Sequence, residues 1–385
     1  MKHSDKHVAG FVVVGLLTLP FYKADDLREK FVGSHVVPPG AALAVLLLAL
    51  AVATLSLLRR DHVWINPAHL TWDDSGDRDR PIRLRLRLAW AVRFGVVGYL
   101  FAAAALVLGW PPLGLSAVLF VATAVFAYRW AARPVRGWAV ELAVPFLLAV
   151  LAALFAGGAV LWAAAAVLAV AALGATGPPG RARRDELVRG WNARVLRSVS
   201  AAFGDFLALL PTARPVKLRL TNTVRYVVAG VLARRQALPL ALLLALAVPV
   251  LHRVFPVVDP LWWTGLGAYF VALPFGGALT DLRVAGRRRW LPATNRTIKA
   301  TTLVVLTVVG LAWAGLTVLF GLPFAPAALP IAALAAVRTA ARPDIDFTVQ
   351  GAVDVGGMYA PIGLVYQLVR GPDLLLFGLL VVSGF

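Results

Sequence analysis

The chain has 385 residues, 60% of them hydrophobic, with a mean hydropathy of +0.79 and a formal net charge of +19. A soluble chain is nearer 45–50% apolar, so a single water-facing core could not hide this much apolar surface, and lipid is the expected solvent for most of it. Cysteine is absent, which excludes disulfides, thiolate zinc sites and iron–sulfur ligation.

Crossing about 30 Å of hydrocarbon takes about 20 helical residues. In chain order, apolar runs of roughly this length predict spanning helices over 37–58, 89–109, 111–131, 138–156, 158–176, 237–252, 260–279, 300–321 and 324–340. Shorter runs at 8–22 and 371–385 complete the set. The first follows Lys2 and Lys6 as a signal peptide would. It ends in Leu19-Pro20-Phe21-Tyr22 with no small-x-small cleavage site, so a retained first helix is the better reading. The 350–370 stretch holds Asp354, Gly356-Gly357, Pro361 and Gly363. An ionised carboxylate and several breakers are costly in lipid, and the stretch reads as interfacial. The expected fold is therefore all-α, a polytopic membrane protein of eleven spans, or twelve if 350–370 crosses.

The basic residues are not spread evenly. With the N-terminus inside, the segments 1–7, 59–88, 129–137, 177–236, 280–299 and 338–370 hold 33 of the 38 Lys and Arg. This is the positive-inside bias of a multi-pass plasma-membrane protein rather than the charge of a nucleic-acid binder. Arg93 lies within a predicted helix. Glu141, about one turn inside another, is at comparable depth, and the two are expected to form an intramembrane ion pair.

The organisation is two membrane halves, 1–176 and 237–385, joined by a connector, 177–236. Each half opens with two helices and a charged inside loop. Each continues with two helices joined by a tight turn, Gly109-Trp110-Pro111-Pro112 in one and Gly321-Leu322-Pro323 in the other. The shared plan predicts a parallel repeat, a construction common in transporters. In the connector, Leu187, Trp191, Val195, Val199 and Phe203 recur every four residues among Arg184, Arg189, Arg194 and Arg197. That pattern is a basic amphipathic helix, suited to the inner membrane surface or to a cytoplasmic partner. A second basic amphipathic stretch runs from Lys217 to Arg235.

Catalytic signatures are sparse. No Gly-Lys pair occurs, so there is no P-loop. The six histidines lack metal-ligand spacing, and the sequence implies no cofactor for this chain. Asp25-Asp26, in the first outside loop, stand where a membrane transferase acting on lipid-linked sugars would keep a catalytic acid. Asp344, Asp346 and Asp354 lack the spacing of magnesium-diphosphate motifs.

Near the C-terminus, Arg342-Pro343-Asp344-Ile345-Asp346 leads to Gly356-Gly357-Met358-Tyr359-Ala360-Pro361-Ile362-Gly363-Leu364, then Gln367 and Arg370-Gly371-Pro372-Asp373 before a terminal apolar run. This resembles the membrane subunits of actinobacterial ABC exporters, loosely ABC-2-like. Their signature begins with a Thr-Pro that Asp354-Val355 or nearby residues replace here. The inside loops look similar too, at Trp64-Ile65-Asn66-Pro67-Ala68 and Arg287-Arg288-Arg289-Trp290-Leu291-Pro292. The resemblance implies a permease subunit that moves an amphiphilic or hydrophobic substrate using a separate ATPase subunit. Membrane lipid and a second permease chain, identical or not, are the further partners. Trp64, Pro67, Trp72, Arg288, Trp290 and Pro292 are the expected coupling residues, as aromatic anchors beside prolines. The alternatives are a transferase acting on lipid-linked substrates and an assembly protein without transport.

Overall fold

The structure is a computed structural model. It describes residues 17–72, 79–133, 138–174, 184–202, 222–282, 293–342, 352–355, 358–361 and 369–384, with isolated positions 15, 182, 213, 216 and 367. Apart from one short hairpin, the regular elements among the described residues are helical: α1 (Ala24–Phe31), α2 (Ala41–Leu58), α3 (Pro67–Trp72), α4 (Asp79–Leu108), α5 (Leu113–Ala131), α6 (Trp138–Ala153), α7 (Gly158–Leu173), α8 (Arg184–Ala202), α9 (Thr223–Ala233), α10 (Leu238–Val254), α11 (Pro260–Phe275), α12 (Gly277–Asp281), α13 (Asn295–Leu319), α14 (Ala328–Ala340) and α15 (Pro372–Ser383).

Five helices, Ala41–Leu58, Arg80–Leu108, Leu113–Ala131, Arg235–Val254 and Asn295–Leu319, are long and apolar enough to cross a membrane. The predicted spans 138–156, 158–176, 260–279, 324–340 and 371–385 are helical but shorter, and most of the 8–22 run lies outside the described residues. α6, α7 and α11 have 16 residues each, a rise of about 24 Å against the roughly 30 Å of a hydrocarbon core. In the other direction, α4 starts at Asp79, ten residues before the predicted apolar run. Its first turns carry Arg80, Arg83, Arg85 and Arg87, so the end of what reads as a charged loop is helix. The 350–370 stretch holds an antiparallel pair, β1 (Ala352–Val355) and β2 (Met358–Pro361), in register Val355↔Met358. Two residues separate Val355 from Met358 in the chain, the spacing that two-residue hairpins have.

The chain forms two compact units. The first is Met1–Asn192 with Val250–Val258, and the second is Ala193–Pro249 with Asp259–Phe385. The boundary falls inside α8.

In the first unit α2 is central, packed against α4, α5 and α6. It is apolar on nearly every side and buried except along the stripe of Val45, Ala49, Val52 and Ser56, with Leu50, Ala51 and Leu57 fully enclosed. Such a helix needs either a core or lipid around it. It ends at Arg59, and Arg60 follows at φ 55°, the left-handed conformation that costs a non-glycine residue roughly 1–2 kcal/mol.

In the second unit α11 is central, packed against α13, α14 and α15. Gly267 lets the Trp313 ring lie on its backbone. That ring's Nε1 donates to the Ala241 carbonyl at 3.1 Å. Tyr269 Oη and Thr339 Oγ1 are 3.0 Å apart, which gives a buried phenol the partner it needs.

Candidate functional site

A small second core forms in the first unit around the loop after α2. Val63, Leu70, Ile82 and Leu187 bury one another, with Ile65 and Val188 against them. They come from the loop after α2, from α3, from the first turns of α4 and from α8. A loop this well packed is held rigidly.

Trp64 is at the centre of this assembly and is half-buried. The Arg85 guanidinium lies over its ring, 3.6 Å from the centroid, and also donates to the Trp64 carbonyl. The Trp191 ring of α8 is 5.4 Å away, tilted by 41°. α8 comes this close because residue 190 is glycine: a Cβ there would run into the Val63 carbonyl and stand 3.1 Å from the Trp64 Cβ. Arg60 completes the clasp. Its Nη1 is 3.4 Å from Glu186 Oε1, with only 6% of the Arg60 side chain exposed. Tertiary contacts of this kind hold Arg60 in its left-handed conformation.

His62 is buried beside them. Burial, then the positive charges of Arg60 and Arg93, push its pKa down to about 4, with Arg85 adding to the effect and Asp61 opposing it. It stays neutral at physiological pH.

The other predicted residues fall as follows. Pro67 opens α3, where a missing N–H costs nothing, and the Asn66 side chain accepts from the Ala68 amide at 3.1 Å. Trp72 ends α3, and its side chain lies outside the described residues, as do Arg288, Trp290 and Pro292. Arg93 is half-buried on α4. Its Nε donates to Ser56 Oγ at 2.8 Å and its Nη1 to the Ala89 carbonyl at 3.1 Å. Glu141 is on α6, with its side chain outside the described residues.

Exposure changes along α8. Leu187 is buried and Trp191 half-buried, but Val195, Leu196 and Val199 are exposed, and so are Arg194 and Arg197. Of the apolar stripe expected from the four-residue spacing, Leu187 and Trp191 are docked and Val195 and Val199 are exposed, while Phe203 lies outside the described residues.

Sequence reading passed over a related clasp within the second unit. Arg234, at the end of α9, is buried. Its Nη2 donates to the Gly277 carbonyl and to Asp281 Oδ2, each at 2.9 Å. Tyr226 Oη donates to the Ala278 carbonyl at 3.2 Å. Gly230 and Gly277 permit this approach, since a Cβ on either would overlap Ala278 or the Arg234 guanidinium. The available signals were a lone Asp281 in a basic stretch and a glycine on each facing segment.

Asp25 and Asp26 open α1. Lys23 Nζ is 2.9 Å from Asp26 Oδ2, with both side chains exposed. The hydrogen bond from Lys23, and then its charge, hold the Asp26 carboxyl below its ordinary value. Among the described residues no group of three or more His, Cys, Asp or Glu is placed to hold a metal ion.

No protein-family model, curated protein or solved structure matches the chain.

Proposed function

We propose that the chain is the membrane permease subunit of an ABC-type exporter, moving an amphiphilic or hydrophobic substrate with force from a separate ATPase subunit. The observation that carries this is the docking of α8 onto the loop after α2. A permease without a P-loop must receive force through its loops, and a lever has to be stiff. Here the loop is stiffened by its own small core, the Trp64–Trp191 contact and the Arg60–Glu186 pair. The second half of α8, where Val195, Leu196, Val199, Arg194 and Arg197 are exposed, is the face we assign to the partner. Trp64 in this account braces the loop instead of entering the ATPase.

The membrane arrangement proposed with it has eleven spans: the five long helices, the five shorter ones α6, α7, α11, α14 and α15, and the 8–22 run. A shorter helix meets the bilayer by local thinning or by snorkelling of its flanking residues. The two halves form a parallel repeat with the N-terminus cytoplasmic. Two observations support the repeat. The second helix of each half, α2 and α11, is the one packed at the centre of its unit. The third helix of each, α4 and α13, is followed by a glycine at positive φ, Gly109 at 98° and Gly321 at 89°, which closes the turn to the fourth.

The test is purification of the tagged full-length chain from its own host's membranes, with ATP hydrolysis and P-loop peptides as readouts. The expected result is an ATP-hydrolysing subunit retained by the wild type and lost from Arg194→Glu/Arg197→Glu. An intact, folded chain carrying no nucleotide-hydrolysing partner would overturn the proposal.

A further inference from the structure

Along the outer side of the α5–α7 pair runs an apolar groove of about 560 Å³. Small side chains on both helices, Ala122 and Ala169 among them, leave it open, and Val121 and Val125 wall it. It begins near Ala117 and ends at Arg129. Those positions are 12 residues apart on α5, about 18 Å at 1.5 Å per residue. One leaflet of a roughly 30 Å hydrocarbon core is about 15 Å deep.

The groove's end is cationic. Arg129 is exposed, and among the described residues its contact is through Nη1, which donates to the Ala172 carbonyl at 3.0 Å. A guanidinium carries five N–H donors, so most of this fork is left to face outward. Arg133 stands one turn further on. Its Nη2 donates to the Gly174 carbonyl at 3.1 Å, and its guanidinium is 5.3 Å from the Trp130 ring centroid. Trp130 Nε1 donates to the Ala171 carbonyl at 3.1 Å, and a tryptophan at a helix end is what the membrane–water boundary favours. The helix C-termini of α5 and α7 meet here and bring about half a negative charge each. The exposed guanidinium of Arg129 carries a full positive charge against them.

We infer that this groove binds one anionic glycerophospholipid, with an acyl chain along α5 and α7 and the phosphate on Arg129. The inference rests on the membrane reading proposed above. Charge complementarity selects the headgroup, and dimensions select the chain. An open, apolar lining about one leaflet long suits an acyl chain.

The test uses the full-length chain reconstituted in vesicles of equal parts phosphatidylcholine and phosphatidylglycerol. It is then re-extracted and washed in detergent, and lipid retained per chain is measured by mass spectrometry. The wild type retains phosphatidylglycerol at about one per chain and at least fivefold over phosphatidylcholine. Arg129→Gln and Ala169→Phe, the latter filling the groove from an exposed position, each lower this retention at least fivefold. Arg129→Lys keeps most of it, and glycerol phosphate in the wash does not displace it, because the acyl chain is part of the ligand. Unfolding temperatures of the variants in lipid-free detergent match the wild type. Equal retention of the two lipids, retention unaffected by Arg129→Gln and Ala169→Phe, or a groove covered by a second copy in crosslinking would each overturn the inference. A chain released from membranes by carbonate would instead overturn the membrane reading.

Discussion

Gly190 has no side chain, and the α8 clasp depends on that. A methyl group there meets the Val63 carbonyl, and the backbone of a packed loop does not yield cheaply. Gly190→Ala is expected to cost about 1–3 kcal/mol, the usual range for overpacking, read as a lower unfolding temperature of the chain in detergent. Gly95, in α4, has nothing within 4 Å of its would-be Cβ. Gly95→Ala should leave stability unchanged or raise it by roughly 0.5–1 kcal/mol through helix propensity. If the two variants behave alike, the α8 contact is not as close as described.

His62 makes a second prediction at this scale. Its pKa is near 4 in the folded chain and near 6.5 when unfolded. Between those values the unfolded chain binds a proton that the folded chain refuses. Stability is therefore level above pH 6.5 and falls as pH drops towards 4. The loss is on the order of 3 kcal/mol at about 1.4 kcal/mol per pKa unit. Unfolding temperature measured from pH 7.5 to pH 4.5 should fall, and His62→Gln should flatten the part of the slope that His62 contributes. A slope identical in the variant would mean that His62 is solvated.

Between elements, the Arg234–Asp281 pair ties α9 to α12. Its carboxylate is about one-third exposed, at 35%, so solvent screens part of the interaction. Arg234→Ala is expected to cost about 1–3 kcal/mol, the range for hydrogen bonds to a charged group. Asp281→Asn should cost less, because a neutral acceptor remains. A double-mutant cycle measures the coupling, and a value near zero would make the pair incidental. The turn glycines belong to the same scale. Gly109→Ala and Gly321→Ala place a Cβ at φ near 90–100°, a strained region for any L residue, and each should destabilise by roughly 1–2 kcal/mol. Similar effects at both sites are what a repeat requires.

The elements were largely readable, and the clasps were not. The run 111–131 became Leu113–Ala131 because Pro111-Pro112 stops one helix before the next begins, and apolarity then runs unbroken to Arg129. The start of α4 was missed because Arg80, Arg83, Arg85 and Arg87 look like loop charge, whereas arginine is a good helix former and the α8 core covers Ile82 beside them. The hairpin at 352–361 was read only as a set of helix breakers, although Gly-Gly between Val355 and Met358 is also a turn signal. Trp64 with Trp191 and Arg234 with Asp281 lie far apart in the chain. No local pattern joins them, and the glycines that allow them to meet are indistinguishable in sequence from the other glycines.

For the whole molecule, the central claim is that the basic loops and the connector lie on the cytoplasmic side and receive an ATPase on the open half of α8. Segregation of 33 of 38 basic residues into alternate segments supports the sidedness. Because the chain has no cysteine, a single Ser198→Cys substitution creates a unique thiol on the exposed part of α8. The account predicts no reaction with an impermeant thiol reagent in whole cells, rapid reaction in inverted membrane vesicles, and at least fivefold slower reaction there when the ATPase subunit is co-expressed. Labelling in whole cells would contradict the sidedness, and equal labelling with and without the co-expressed subunit would contradict the docking face.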